Sequence, residues 1–376
     1  MNKQSYFIDN KEKRILSMRN EPISFLQLVF LIMMSTGFYN HVILSAIINE
    51  GGRGAWIGAL MSLIPITIFL SIIYFIQVKT KNKSIVSYFE VCFGKIGSKF
   101  LLLPIIIYFL LQAYITFFDT ITWTNVSYLP NTPELVLSIS SILVIGLFLK
   151  GGIQSITIIS GILLPVVVIL GLFVSFSNMP NKNYSLLFPP FINGWDPILK
   201  SFFYSLSGSV DLIILFFLQD KLKQKASYWK YLIIGLLLTN LLLAPITGGI
   251  ALFGPEINSQ LRYPAYEQWR VVTIGNYISH VDYLTIYQWL SGAVVRIALM
   301  IILIPELFAI KKAKTKSKVH LAILIGLVLS LLLPISDIDF YTFIKELFLP
   351  VMIICMSIYF FIFVAVVTWV NRRQKI

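Results

Sequence analysis

The sequence predicts an all-α protein that crosses a membrane about ten times. Of its 376 residues, 57% are hydrophobic and only 12% are charged. Its mean hydropathy is +0.82. Soluble domains average about 45–50% apolar and about 25% charged residues. A chain embedded in lipid must satisfy its backbone hydrogen bonds internally, so helices are the expected form of its membrane spans.

Ten apolar stretches are long enough to be membrane spans. A helix needs about 20 apolar residues to cross about 30 Å of hydrocarbon. We number as spans 1 to 10 the residues 24–48, 54–77, 100–127, 133–149, 152–175, 198–218, 229–253, 283–309, 319–335 and 343–370. The first stretch exceeds a signal-peptide core and lacks a cleavage site, so we expect it to be retained. Residues 23–370 thus form one transmembrane domain, with tails at 1–22 and 371–376.

The basic residues are concentrated in alternate loops. With ten spans, 23 of the 30 Lys and Arg residues lie on the side of the termini and five in the opposite loops. Because cytoplasmic loops are enriched in Lys and Arg, both termini are predicted to be cytoplasmic, and the loop 254–282 is predicted to be external. The same distribution argues against a nucleic-acid partner, since such binders cluster basic residues on one face of a polar domain. We expect the partner of this surface to be the lipid bilayer.

Spans 1 and 6 each contain a small, polar, glycine-containing step. If residues 23–175 and 198–370 are five-plus-five inverted repeats, these steps correspond, and paired interruptions build the midplane sites of many transporters. We therefore predict that helices 1 and 6 are broken and bind a small substrate, since unwound backbone exposes helix dipoles. The predicted substrate-binding residues are Ser35, Thr36, Gly37, Ser205, Ser207, Gly208, Ser209 and Asp211. Two alternatives remain open: close helix packing by small residues, and a purely structural role for Asp211.

Two further ionisable residues lie near the middle of spans. Asp119 in span 3 and Arg296 in span 8 have opposite charges, and pairing would lower the cost of burying both. We predict a buried Asp119–Arg296 pair, either a structural lock or a coupling element. The sequence contains no Ser-His-Asp, metal-ligand or phosphate-loop motif. We therefore expect no enzymatic activity, catalytic residue, metal or cofactor.

Short motifs along residues 22–370 carry a family resemblance. They are Ile23-Ser24-x-x-Gln27, Ala55-Trp56-Ile57, Tyr88-Phe89-x-x-x-Phe93-Gly94-Lys95-Ile96-Gly97, Leu129-Pro130-Asn131-Thr132-Pro133, Gly151-Gly152-Ile153-Gln154, Leu187-Phe188-Pro189-Pro190, Asp211, Tyr263-Pro264 and Val281-Asp282. In their order and spacing the chain resembles the B subunits of bacterial spore germinant receptors (GerAB or GerKB type), within the amino acid–polyamine–organocation transporter superfamily. His280 replaces an expected Arg, and Asp211 a more usual Glu, which bears on the ligand and not on the fold.

The resemblance implies the inverted-repeat fold of amino acid transporters, with broken helices 1 and 6. It also implies the inner membrane of a dormant spore, partnership with a receptor A subunit and a lipoprotein C subunit, and a nutrient ligand, most simply an amino acid, that triggers germination. The rival hypothesis is a proton- or sodium-coupled amino acid permease. Arg296 disfavours ion coupling, because it places a fixed cation where related sodium transporters bind an ion. A structural or channel-forming membrane subunit without its own ligand is a third possibility.

Overall fold

The structure, a computed structural model, describes residues 22–274 and 279–373. These residues are almost entirely helical, and an isolated β-bridge joins Ile23 to Leu222. The main helices are α1 Phe25–Asn49, α2 Gly52–Lys79, α3 Ile85–Ser127, α4 Glu134–Ser177, α5 Asp196–Lys221, α6 Tyr228–Phe253, α7 Pro264–Arg270, α8 Val281–Leu307, α9 Ala313–Ser330 and α10 Asp337–Val370. Short helices at Met179–Asn181, Tyr184–Leu187 and Pro255–Asn258 lie in the connections.

Eight of the helices within the described ranges are long and apolar enough to cross a membrane. Helix α9 lies at predicted span 9, but Lys314, Lys316 and Lys318 occupy its first turns, so its apolar part is short. Helix α4 covers both predicted spans 4 and 5. The all-α, multi-pass membrane fold is therefore confirmed, while the number of ten spans and the inverted repeat remain predictions.

Glycine interrupts the two longest helices. Gly152 in α4 has φ 76° and ψ −177°, and Gly94 in α3 has φ 70° and ψ 174°. Other residues rarely adopt such a backbone, because a Cβ would clash with it. The helical backbone of α4 thus changes direction at the boundary between predicted spans 4 and 5, within the Gly151-Gly152 motif.

Helices α1 and α5 are continuous, so the predicted unwinding of spans 1 and 6 is wrong. In α1 the hydrogen bonding becomes π-helical at Met33–Gly37 and Asn40–Leu44, while Phe38 between them keeps helical φ and ψ of −58° and −48°. In α5 a 3₁₀ turn at Asp211–Ile213 joins two α-helical segments. The residues of these irregular turns are almost all buried, so packing against neighbouring helices keeps them helical despite their weak helix propensity. The irregular turns still coincide with the predicted steps, and π-turns are frequent at functional sites.

Helices α1, α5 and α8 form the centre of the molecule. Over the most apolar 18 residues of each of these helices, 89%, 78% and 78% of the residues are buried. The corresponding values are 22% in α4 and 33% in both α2 and α10. Helix α8 packs most extensively against α3 and α4, and α2 packs against α5. The peripheral helices present large apolar side chains outward, as a lipid-facing surface requires.

The start of α1 is fixed to the end of α5. The Ser24 side chain accepts from the Gln27 backbone N–H (3.2 Å), and the Gln27 side chain accepts from the Ser24 N–H (2.8 Å), which forms a capping box. The Ile23 N–H donates to the Lys221 carbonyl, and the Lys223 N–H donates to the Ile23 carbonyl, both at 2.8 Å. The Ile23-Ser24-x-x-Gln27 motif therefore joins the two helices that carry the predicted site.

Candidate functional site

A fully buried ion pair lies at the centre of the fold. The Arg296 guanidinium of α8 donates from Nη1 to Asp211 Oδ2 (2.8 Å) and from Nη2 to Asp211 Oδ1 (3.1 Å). Both side chains are 0% exposed. This two-point geometry is the strongest form of Arg–carboxylate contact. Burial of either charge alone would be costly, so the pair fixes α5 against α8.

Helix α3 supplies three polar side chains to this pair. Tyr108, Gln112 and Thr116 follow one another at four-residue intervals and so share one face of the helix. The Tyr108 hydroxyl donates to Asp211 Oδ1 (3.0 Å) and accepts from Gln112 Nε2 (2.9 Å). Gln112 Oε1 and Thr116 Oγ1 accept from Arg296, at 2.9 Å and 3.2 Å.

Helix α1 completes the group with Ser35 and Thr36, which the sequence predicted as site residues, and with Tyr39, which it did not. Thr36 Oγ1 donates to Asp211 Oδ2 (2.6 Å), and Arg296 Nη1 lies 3.5 Å from Ser35 Oγ. The Arg296 guanidinium also lies 4.4 Å from the centre of the Tyr39 ring, a cation–π contact. We call this group the central polar cluster. Its members are Ser35, Thr36, Tyr39, Tyr108, Gln112, Thr116, Asp211 and Arg296.

The other predicted site residues lie outside the central polar cluster. The Ser205 and Ser207 hydroxyls donate to carbonyls of their own helix, at Phe202 and Tyr204. Gly37 faces Leu241 of α6, where an added Cβ would lie 2.6 Å from Cδ1. Gly208 contacts α1, because a Cβ there would lie 2.6 Å from Asn40 Oδ1.

Two buried polar atoms, one on α1 and one on α5, have no partner within the described residues. They are Asn40 Oδ1, whose side chain lies against Gly208 of α5, and Ser209 Oγ. Both residues are at most 1% exposed. Buried polar groups are nearly always hydrogen-bonded, and an unsatisfied one costs about 1–3 kcal/mol. This interface therefore has unused hydrogen-bonding capacity beside a charged group.

The predicted pair between Asp119 and Arg296 is wrong. Arg296 binds Asp211 instead, while Asp119 Oδ1 accepts from Arg262 Nη2 at 2.7 Å. Asp119 lies almost one helical turn beyond Thr116, the last α3 residue that Arg296 contacts. At that position Asp119 is within reach of Arg262, which lies in a loop. The positions of the spans alone do not suggest this pairing.

Arg262 joins the connection between α6 and α8 to two other helices. It also donates to Asp337 at the start of α10, from Nε at 3.3 Å and from Nη2 at 3.2 Å. Its guanidinium lies 4.5 Å from the Tyr263 ring centre and 4.9 Å from that of Tyr341. Burial disfavours the charge, but the two carboxylates outweigh it and raise the pKa of Arg262. We call Arg262, Asp119 and Asp337 the outer latch.

Substitution of Arg262 by Gln is expected to destabilise the protein. Asp119 is 1% exposed and would lose its ion-pair partner. Breaking such a pair costs about 3–5 kcal/mol, and we expect about 3 kcal/mol because Arg262 is partly exposed. The measurement is thermal unfolding of the purified protein in detergent. Adding Asp119→Asn to Arg262→Gln should restore much of the lost stability. Arg270→Gln, at an exposed arginine, is the control, and equal stability of all variants would contradict the latch.

Sequence reasoning found one half of the cluster and missed the other. It selected Ser35, Thr36 and Asp211, but assigned Arg296 to another partner. It also overlooked Tyr108, Gln112 and Thr116, although their four-residue spacing in an apolar span is a visible signal. Within the described ranges, no three His, Cys, Asp or Glu residues are placed to hold a metal ion.

Comparison with known proteins gives consistent matches. A profile of the family described as "Spore germination protein" matches residues 22–340. The chain is 35% identical over 354 residues to spore germination protein XB of Bacillus anthracis, covering 94% of this chain and 99% of that protein. It is also 29% identical over 254 residues to YfkT of Bacillus subtilis (strain 168), a protein provisionally named as a spore germination protein. This match covers 67% of this chain and 69% of YfkT.

Proposed function

The chain belongs to the spore germination protein family, and we propose that it is the integral membrane B subunit of a spore nutrient germinant receptor. In this role it binds a small nutrient, an amino acid, between α1 and α5 and transmits a conformational change to an A subunit and a lipoprotein C subunit. The proposal places it in the spore inner membrane with both termini cytoplasmic.

The unsatisfied polar atoms between α1 and α5 are the observation that carries this proposal. Asn40 Oδ1 and Ser209 Oγ are buried without partners in the described part of the chain. Both oxygens can accept from an ammonium group, and the Ser209 hydroxyl can also donate to a carboxylate. A small zwitterion would thus use groups that the protein alone leaves unbonded.

Packed aromatic rings connect this interface to the external loop. Phe38 of α1 contacts Trp289 of α8 edge-on, with ring centres 6.2 Å apart. Trp289 contacts Tyr263, at 5.6 Å, and stacks on Trp123, at 4.2 Å. A ligand can shift a conformational equilibrium only if it binds the two states differently. Displacement of α1 by a nutrient would move Phe38, and this contiguous packing would pass the movement to the outer latch.

Germination of spores lacking this chain tests the proposed function. Spores with and without the gene are exposed to a panel of single nutrients, including the twenty common amino acids, and germination is followed by loss of optical density. We expect the response to at least one amino acid to disappear and to return on complementation. Unchanged responses to every nutrient would overturn the proposal.

The amino acid permease is the second candidate function, and Arg296 is the observation that weighs against it. Its charge already neutralises Asp211, the acidic residue of this interface. A coupling sodium ion or proton would have to compete with that guanidinium. Uptake of labelled amino acid into proteoliposomes separates the two functions: a permease accumulates substrate on an ion gradient, whereas a sensor only binds it.

A further inference from the structure

A pocket of about 400 Å³ opens between the end of α3, helix α7 and the start of α8. It lies in the predicted external loop region, apart from the α1–α5 interface. Its lining includes Glu267 and Arg270 of α7, Asp282 of α8, and the rings of Tyr263 and Tyr266. Small-molecule sites are typically of about this size, about 300–1,000 Å³, with a few polar groups that orient the ligand.

Arg270 has hydrogen-bonding capacity left. Its Nη1 donates to both carboxylate oxygens of Glu267, at 3.2 Å and 3.0 Å. No hydrogen bond to another described residue uses Nε or Nη2. The side chain is 56% exposed. A guanidinium edge that is held in place by a neighbouring acid, and still carries free N–H groups, is suited to bind a carboxylate.

Other lining residues supply a negative charge and aromatic rings. The Tyr128 hydroxyl donates to the Asp282 backbone carbonyl at 2.7 Å, which fixes the position of this residue. Its carboxylate makes no hydrogen bond to the rest of the described chain, although it lies close enough to Arg270 and Tyr266 to influence both electrostatically. Carboxylates and tyrosine faces both attract ammonium groups.

We propose that this pocket is an outer binding site for a free amino acid, with the α-carboxylate against Arg270 and the α-ammonium against Asp282. The inference rests on the proposed function, because it assigns to the nutrient a first site before the α1–α5 interface. Tyr263 lines the pocket, and the Arg262 guanidinium of the outer latch stacks on the same ring. An amino acid bound there lies against the ring that packs on Arg262, the residue that joins this loop to α3 and α10.

Thermal unfolding of the purified protein in detergent tests the site. The twenty common L-amino acids are screened singly, since a ligand that binds the native state raises the unfolding temperature. The one with the largest effect is then titrated, together with its carboxamide, against wild type, Arg270→Gln and Asp282→Asn. Lys200→Gln is the matched control, because Lys200 is also exposed and also paired with an acid on its own helix.

We expect Arg270→Gln and Asp282→Asn each to raise the half-saturating concentration about tenfold or more, as loss of a charge-assisted hydrogen bond implies. Lys200→Gln should leave it unchanged. The carboxamide should bind wild type more weakly than the acid, and Arg270→Gln should bind the two alike. Unfolding temperatures equal to wild type without amino acid establish that the variants fold.

The outcomes separate this inference from the proposed function. If Gly208→Leu at the α1–α5 interface abolishes amino acid binding while Arg270→Gln and Asp282→Asn titrate as wild type, the outer site is overturned and the proposed function stands. If none of the twenty amino acids changes the unfolding temperature, the outer site is overturned as well. The germination panel on gene-deleted spores then decides the proposed function separately.

Discussion

Asp211→Asn is expected to reduce the free energy of unfolding by about 3–5 kcal/mol, the cost of leaving a buried charge without its partner. Asp211 accepts two hydrogen bonds from Arg296, one from Thr36 and one from Tyr108. An amide has one acceptor oxygen and no charge, so Arg296 would stay buried and uncompensated. Thermal and chemical unfolding of the purified protein measure the loss.

A second substitution shows whether the effect comes from the ion pair. The double variant Asp211→Asn, Arg296→Gln removes both charges and should be more stable than Asp211→Asn alone. Asp196→Asn is the matched control, since its pair with Lys200 is exposed and should contribute nothing measurable. A single variant as stable as wild type would contradict the structural role. Because Asp211→Asn is expected to destabilise the protein strongly, loss of nutrient response in this variant alone would not identify a ligand contact.

The fold class followed from the sequence because lipid imposes a simple composition rule. Hydropathy and basic-residue placement predicted a multi-pass helical protein, and the structure and comparisons confirm both that fold and the family resemblance. The form of helices α1 and α5 did not follow. A Ser-Thr-Gly step weakens an isolated helix, but whether it unwinds or shifts to π-helical bonding depends on the surrounding packing.

Side-chain pairing was the least predictable feature of the site. Two acids, Asp119 and Asp211, and one arginine, Arg296, lie near the middle of predicted spans and allow two pairings. The predicted depth in the membrane alone favoured Asp119. The outcome depended on Arg262, which the sequence places in an external loop and the structure places against Asp119. The α3 face of Tyr108, Gln112 and Thr116 was the available signal, because three aligned polar side chains need a buried polar partner.

Gly208→Leu is expected to abolish the nutrient response of spores. A Cβ at this position would lie 2.6 Å from Asn40 Oδ1 and 3.2 Å from Asn40 Cγ, so a leucine must displace that side chain. Overpacking of this kind costs about 1–3 kcal/mol, less than would prevent insertion of a helix this apolar. The substitution therefore changes the α1–α5 interface, where the unsatisfied polar groups lie, while the protein still reaches the membrane.

Gly326→Leu provides the matched control for this substitution. Gly326 lies in α9, where an added Cβ has no atom within 4 Å, so the same leucine should leave germination unchanged. Gly208→Ala adds only the Cβ and should give an intermediate dose response. Immunoblots of spore membranes establish equal amounts of each variant. A normal dose response in Gly208→Leu spores would remove the α1–α5 interface as the nutrient site, because no small molecule could use Asn40 in the same way once its side chain has moved.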